Sequence, residues 1–213
     1  MTKIAVINCY DSFVFNLIEL LRHEKEVAYQ VINYNNMIIA SSCHSAMKED
    51  ITPKELVQQF DGILLSPGPA TPEDFPLLST LIRLAEGETT LLGVCLGMQA
   101  LAHTYGASLQ QLDSPCHGFE DTLIIEKQSP FLEGITTEDR IGRYHSWAVD
   151  RKTLPPSLQI LATAQSDQAT MAIRHKKFPF YGVQFHPESF ISTQSATYIR
   201  NWLRITQEYN KVR

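Results

Sequence analysis

Cys95 stands at the end of an apolar run, Leu91-Leu92-Gly93-Val94, with Gly93 and Gly97 two residues away on either side. The run suits a buried strand, and beyond it Met98, Leu101, Ala102 and Tyr105 recur at helical spacing. A strand that turns at once into a helix needs backbone free of Cβ crowding, which two glycines supply. The pattern is the thiol analogue of the G-x-S-x-G nucleophile elbow. Such a turn lifts one side chain clear of the sheet, where the positive end of the next helix favours its anion. The same residues also fit a small buried cysteine on a core strand. A nucleophile needs a base, and His186 is the strongest candidate. It follows the apolar strand Gly182-Val183-Gln184-Phe185, Pro187 fixes the direction of the exit, and Glu188 is close enough to hold the imidazole. His145, beside aromatic residues on a strand, is the alternative base. His103 within a helix and His175 in a basic turn read as structural or solvated.

Bringing these side chains together requires an ordered set of strands and helices. Lys3 to Ile7 is a continuous apolar run, as in a buried parallel strand. A helix follows with Val14, Leu17, Ile18 and Leu21 on its apolar face and Asp11 or Ser12 as N-cap; residues 26–33 then alternate as a second strand. Strand, helix, strand at this spacing predicts a parallel sheet. Residues 36–50 break the pattern and read as a surface excursion. Thr52-Pro53 opens a short helix to Phe60, and residues 61–65 form a third strand. That strand runs into Ser66-Pro67-Gly68-Pro69-Ala70-Thr71-Pro72, at the carboxyl end of the sheet where such folds hold ligands. Proline lacks an N–H, so the amides of Gly68, Ala70 and Thr71 stand out as anion donors, although an ordinary Pro/Gly loop has the same look. A helix over 73–86 leads back to the Cys95 strand. Further on, strands are expected over 122–126, 142–149, 182–185 and the pair 158–164 and 170–174. A closing helix over 195–208 buries Ile199, Trp202, Leu203 and Tyr209. The expected fold is α/β: an open, mostly parallel, twisted, flavodoxin-like sheet with helices on both faces, plus a small antiparallel sheet from the C-terminal half. Residues 1–213 read as one domain.

Composition narrows the partners. The chain has 213 residues, 44% of them hydrophobic, and a formal net charge of −5. The basic cluster Arg174-His175-Lys176-Lys177 is short, so no nucleic acid partner is expected. No apolar run approaches the roughly 20 residues of a membrane span, and the N-terminus enters a strand pattern directly, so neither a membrane nor a secretory route is expected. Cys9, Cys43, Cys95 and Cys116 are scattered without a C-x-x-C; Cys43-His44 and Cys116-His117 are adjacent pairs, not ligand spacings. No metal or cofactor is expected, and a cytoplasmic location fits.

Five blocks in order make the chain resemble the class I (triad-type) glutamine amidotransferases, and among them the component II subunits of anthranilate and para-aminobenzoate (aminodeoxychorismate) synthases. They are Tyr10-Asp11-Ser12-Phe13, Ser66-Pro67-Gly68-Pro69, Gly93-Val94-Cys95-Leu96-Gly97 with Gln99, Arg143-Tyr144-His145-Ser146, and Gly182 to Ser189. The resemblance implies a triad of Cys95, His186 and Glu188. It implies an oxyanion hole from the backbone amides of Gly68 and Leu96, and glutamine held by Gly68, Pro69, Ala70, Gln99, Ser146 and Trp147. It further implies that ammonia released from L-glutamine passes to a separate chorismate-binding synthase subunit, in a hetero-oligomer. The choice between anthranilate and para-aminobenzoate belongs to that subunit, with a lean toward para-aminobenzoate.

The chain departs from the family pattern at several places. Asn8-Cys9 stands for Asp-Asn, Ala70 for glycine, Met98 for histidine, and His117-Gly118-Phe119 for His-Gly-Lys, and the 36–50 excursion is long. Ala70 bears on how the loop sits, because alanine tolerates positive φ poorly. These departures motivate a second reading, a regulatory or binding subunit with a weakened glutamine site. A stand-alone cysteine hydrolase on the same fold is a third.

Overall fold

The structure is a computed structural model and describes residues 1–38, 50–112 and 114–212. Nearly all of the 36–50 excursion, together with Cys43, lies outside the described residues. The elements run β1 (Thr2–Asn8), α1 (Val14–Arg22), β2 (Val27–Asn33), α2 (Pro53–Gln59), β3 (Gly62–Leu65), α3 (Pro76–Leu84), β4 (Thr90–Val94), α4 (Leu96–Thr104) and β5 (Leu109–Gln111). They continue with β6 (Phe119–Ile125), β7 (Arg140–Arg143), β8 (Trp147–Val149), β9 (Leu158–Ala164), β10 (Thr170–His175), β11 (Phe180–Val183) and α5 (Ser195–Val212).

Nine strands form one sheet in the order β2-β1-β3-β4-β11-β10-β9-β6-β7. The first five are parallel, and from β10 onward each strand is antiparallel to its neighbour. The apolar runs are continuous because both faces of the parallel part are covered. In β1, Ile4 and Val6 face the cluster built with α1 and α5, while Ala5 and Ile7 face the one built with α2, α3 and α4. Leu64 and Leu92 repeat the first direction, Ile63 and Leu91 the second. Trp202 and Leu17, both fully buried, anchor α5 and α1 to their face. Burial of a side chain of this kind contributes about 1.5–3 kcal/mol.

The fold is α/β with a small antiparallel sheet, as expected; that sheet is β5 paired with β8, and the other antiparallel strands continue the main sheet. The run over 142–149 is two strands: β7 pairs with β6, and β8 with β5. Between them Tyr144, His145 and Ser146 leave the sheet, their turn closed by a contact from His145 Nδ1 to the Trp147 carbonyl at 2.9 Å. β5 carried no signal, since Gln110 and Gln111 are both exposed.

Helix starts follow the sequence with one change. Thr52 and Glu55 form a reciprocal capping box on α2 with Pro53 at the first position. In α1 the N-cap is Phe13, without a side-chain bond, and Asp11 instead accepts from the Phe13 amide at 2.8 Å in the turn before it. The 73–86 helix begins as a 3-10 turn over Pro72–Asp74 and restarts as α3 at Pro76. No helix among the described residues is long and apolar enough to cross a membrane.

Candidate active site

Three neighbouring parallel strands deliver the site. β3 pairs with β4 so that Leu65 faces Gly93, and β4 pairs with β11 so that Val94 faces Val183. Their carboxyl ends therefore emit, side by side, the loop from Ser66, the elbow at Cys95 and the segment Gln184 to Glu188. Residues far apart in sequence meet because the last strand of the chain is inserted beside β4.

The elbow is tight. Cys95 has φ 51° and ψ −103°, a strained conformation for a residue with a side chain. Its amide donates to the Val183 carbonyl at 2.8 Å and its carbonyl accepts from the Gln99 amide at 3.0 Å, so it is tied to both β11 and α4. The glycines permit the close approach. A Cβ on Gly93 would lie 2.4 Å from backbone atoms of Gly97, and one on Gly97 would lie 2.4 Å from the Leu65 carbonyl oxygen. α4 thus lies directly on the sheet, and Leu96 to Ala102 are all buried. Met98 fills the space over Gly182, where a Cβ would meet its side chain at 2.9 Å. Cys95 itself keeps 8% of its surface exposed.

His186 and Glu188 pair as expected, with Nδ1 and Oε1 2.8 Å apart and both side chains out of solvent. Burial alone would make the imidazole less basic. Its contact with the Cys95 side chain and the Glu188 carboxylate outweigh that and hold it well above its ordinary range. The ring is walled by Phe13 at 4.9 Å and by Tyr144 edge-on at 5.2 Å, and the Tyr144 hydroxyl meets Ser189 Oγ at 2.9 Å. Phe13 and Tyr144 lie in the first and fourth sequence blocks, which gives those blocks a physical role: they hold the His186 ring from two sides.

His145 is placed differently. Arg143 Nε donates to its Nε2 at 3.3 Å, so Nδ1 carries the proton and donates to the Trp147 carbonyl. Burial and the adjacent Arg143 cation push it down to about 4. A neutral imidazole with both nitrogens engaged has no free position from which to take a proton. Arg143 is itself fully buried and held by Asp121 at 2.8 Å and by both oxygens of Asp167. That network braces the turn from which Tyr144 reaches the base.

Gly68 and Leu96 are in contact: a Cβ on Gly68 would fall 2.4 Å from Leu96 Cδ2 and 2.8 Å from Cys9 Cβ. Neither backbone amide donates to another protein group among the described residues. Ser66 Oγ, accepting from the Cys9 amide at 2.9 Å, pins the start of the loop. Pro69 and Ala70 are exposed beyond it, and Ala70 takes φ 63°. The loop therefore keeps the left-handed turn that glycine ordinarily supplies, at a cost of about 1–2 kcal/mol in backbone strain. Gln99 and Trp147 are joined by a bond from Gln99 Nε2 to the Trp147 carbonyl at 2.9 Å, and the Ser146 carbonyl accepts from Leu112. Gln184 had no assigned part, yet it is fully buried and its Nε2 lies 3.5 Å from Cys95 Sγ. The signal available was a polar residue inside the otherwise apolar run Val183–Phe185. Among the described residues no cluster of three His, Cys, Asp or Glu side chains could hold a metal ion.

A Haemophilus influenzae protein provisionally named anthranilate synthase component II is 37% identical over 208 residues, covering 98% of this chain and 99% of that protein. Anthranilate synthase component 2 of Mycobacterium tuberculosis is 34% identical, covering 94% of this chain and 81% of the relative. Aminodeoxychorismate synthase component 2 of Klebsiella aerogenes is 33% identical over 94% and 98%. The solved structure of a Thermoplasma acidophilum protein, provisionally named as one subunit of a GMP synthase, superposes with a TM-score of 0.81 over 100% of this chain and 97% of that one, with 22% identity. It supports the fold. The class-I glutamine amidotransferase family matches residues 5–205, and the chain belongs to it.

Proposed function

We propose that this chain is the glutaminase subunit of a chorismate-directed synthase, with Cys95, His186 and Glu188 as its triad. Cys95 thiolate attacks the side-chain carboxamide carbon of L-glutamine, and the carbonyl π electrons move to oxygen. The Gly68 and Leu96 amides bind that oxyanion, an effect worth about 3–4 kcal/mol per donor. His186, held by Glu188, protonates the departing amine, so ammonia leaves and a γ-glutamyl thioester remains. The same imidazole then takes a proton from water, and hydroxide displaces the thiolate to give glutamate. Gln99, the loop Gly68-Pro69-Ala70, and Ser146 with Trp147 hold the amino-acid end.

The ammonia passes to a chorismate-binding synthase subunit, which sets whether anthranilate or aminodeoxychorismate is made. What supports the partner is the component II naming of relatives that match along nearly their whole length. The observation that carries the chemistry is the His186–Glu188 pair directed at Cys95 beside two amides with no acceptor among the described residues.

The test is glutamate release from glutamine in the presence of the co-purifying synthase subunit. Cys95→Ala abolishes it while ammonia-dependent synthesis persists. A variant with undiminished glutamine turnover refutes the reading. Lack of saturable turnover at millimolar glutamine in the wild-type complex would favour the weakened regulatory subunit, the reading that Ala70, Met98 and Phe119 motivate.

A further inference from the structure

The hydrogen bonds behind the sulfur have a fixed direction. The Trp147 carbonyl oxygen can only accept, so Gln99 must turn its Nε2 toward it, at 2.9 Å. The second hydrogen on that nitrogen goes to Gln184 Oε1 at 3.1 Å. With its oxygen engaged, Gln184 can offer only Nε2 on its other side, and that atom lies 3.5 Å from Cys95 Sγ. Reversing Gln99 sets oxygen against oxygen; reversing Gln184 sets two N–H donors against each other. Both side chains are buried, Gln184 fully and Gln99 to 3% exposure, so water does not offer either an alternative partner. Gln184 is also pinned through its backbone, whose amide donates to the Met171 carbonyl at 2.9 Å.

We propose that Gln184 is a thiolate-stabilising and positioning residue: its Nε2–H donates to the Cys95 sulfur anion while its Oε1 locks the orientation of Gln99. The proposal rests on Cys95 being the nucleophile. An amide N–H stabilises a sulfur anion more than a neutral thiol, because hydrogen bonds to ionised groups are the stronger kind. It thus adds to His186 from a second direction. The lock also determines what Gln99 shows the pocket. With both hydrogens of its carboxamide engaged, Oε1 is the atom left over, so Gln99 takes a hydrogen-bond donor of the substrate and not its carboxylate.

The experiment is alkylation of Cys95 by iodoacetamide in the purified full-length chain as a function of pH, read by mass on the Cys95 peptide. Gln184→Met keeps the volume and removes the donor. Its midpoint should rise by about one pH unit, equivalent to roughly tenfold less thiolate below both midpoints. Gln184→Glu keeps the shape and the acceptor toward Gln99 but sets a carboxylate against sulfur. It should raise the midpoint at least as far, and it supplies the reading if Gln184→Met does not fold. Gln99→Met should raise the midpoint less, and the double variant Gln99→Met/Gln184→Met should match Gln184→Met alone, because both act through one chain of bonds. An unmoved midpoint in a folded Gln184 variant, or additive shifts in the double variant, overturns the proposal. Glutamine turnover retained in Cys95→Ala would instead remove the nucleophile reading beneath it, and the two failures are read in separate assays.

Discussion

Replacing Gly93 by alanine probes the geometry that makes the thiol usable. The added Cβ would lie 2.4 Å from the carbonyl carbon and oxygen of Gly97 and 2.6 Å from the Met98 nitrogen. Carbon contacts relax to about 3.5–4.0 Å, so the first turn of α4 must retreat by about 1 Å. The opposing atoms are backbone, and no rotamer change relieves them. Overpacking of this kind costs about 1–3 kcal/mol, and the absence of a flexible neighbour places this case near 3. Cys95 begins the same turn. A displacement of about 1 Å in a catalytic group lowers the rate about 100-fold. Urea unfolding and initial rates of glutamate release, both with a fixed concentration of the synthase subunit, measure the two effects. Gly182→Ala should be milder, since its Cβ would lie 2.9 Å from Met98 Cβ and Cγ and 3.1 Å from its Cα, a shallower clash than the 2.4 Å contacts at Gly93; a loss of about tenfold in kcat/KM is expected by scaling the displacement down. Gly87→Ala is the control: its φ of +78° makes alanine strained, with nothing within 4 Å. It should cost about 1–2 kcal/mol and leave kcat/KM within about twofold. Gly93→Ala with wild-type unfolding and wild-type rate would refute the steric argument.

Two further outcomes are expected. Ala70→Gly relieves backbone strain of about 1–2 kcal/mol but adds about 0.4–1 kcal/mol of unfolded-state entropy, so stability should change by no more than about 1 kcal/mol and the KM for glutamine should not rise. Ala70→Val should lose stability and raise KM; thermal unfolding with glutamine titration checks both, and a neutral Ala70→Val would contradict the φ of 63°. His145, held down to about 4 by burial and Arg143, takes its proton more readily in the unfolded chain. Its contribution to stability is therefore full above about pH 6.5, is lost as pH falls from there to about 4, and levels off below, for a total of about 3 kcal/mol. His145→Gln should flatten the stability curve in that window when denaturant midpoints are measured at stepped pH, and an unchanged slope would count against a neutral buried imidazole.

The parallel half of the fold was legible because Ile4–Ile7, Ile63–Leu65 and Leu91–Val94 are apolar without interruption, as strands covered on both faces must be. Cys95 was legible through its glycines, and His186 through the strand that precedes it. The C-terminal half was less so. Nothing in Gly142–Val149 marks the exit at Tyr144, because the cause is tertiary: β7 and β8 are claimed by different partners, β6 and β5. Gln184 reads as an interruption in a core strand, and its meaning appears only when Gln99 and Cys95 are placed on either side of it. The Phe13 N-cap likewise escaped notice, since Asp11 is the better capping residue by type and spends its oxygen one turn earlier.

The position of β11 ties the candidate site to closure of the sheet. This strand follows the other ten in chain order among the described residues, yet it lies between β4 and β10 in the middle of the sheet. Without residues 180–188, β4 has an open edge, and Cys95 lacks both the His186–Glu188 pair and the Gln184 amide that faces its sulfur. Under the proposed triad, a chain lacking this segment holds Cys95 without its base. Under the proposed triad, the long-range pairing that makes such a sheet slow to form also delays assembly of the site around Cys95.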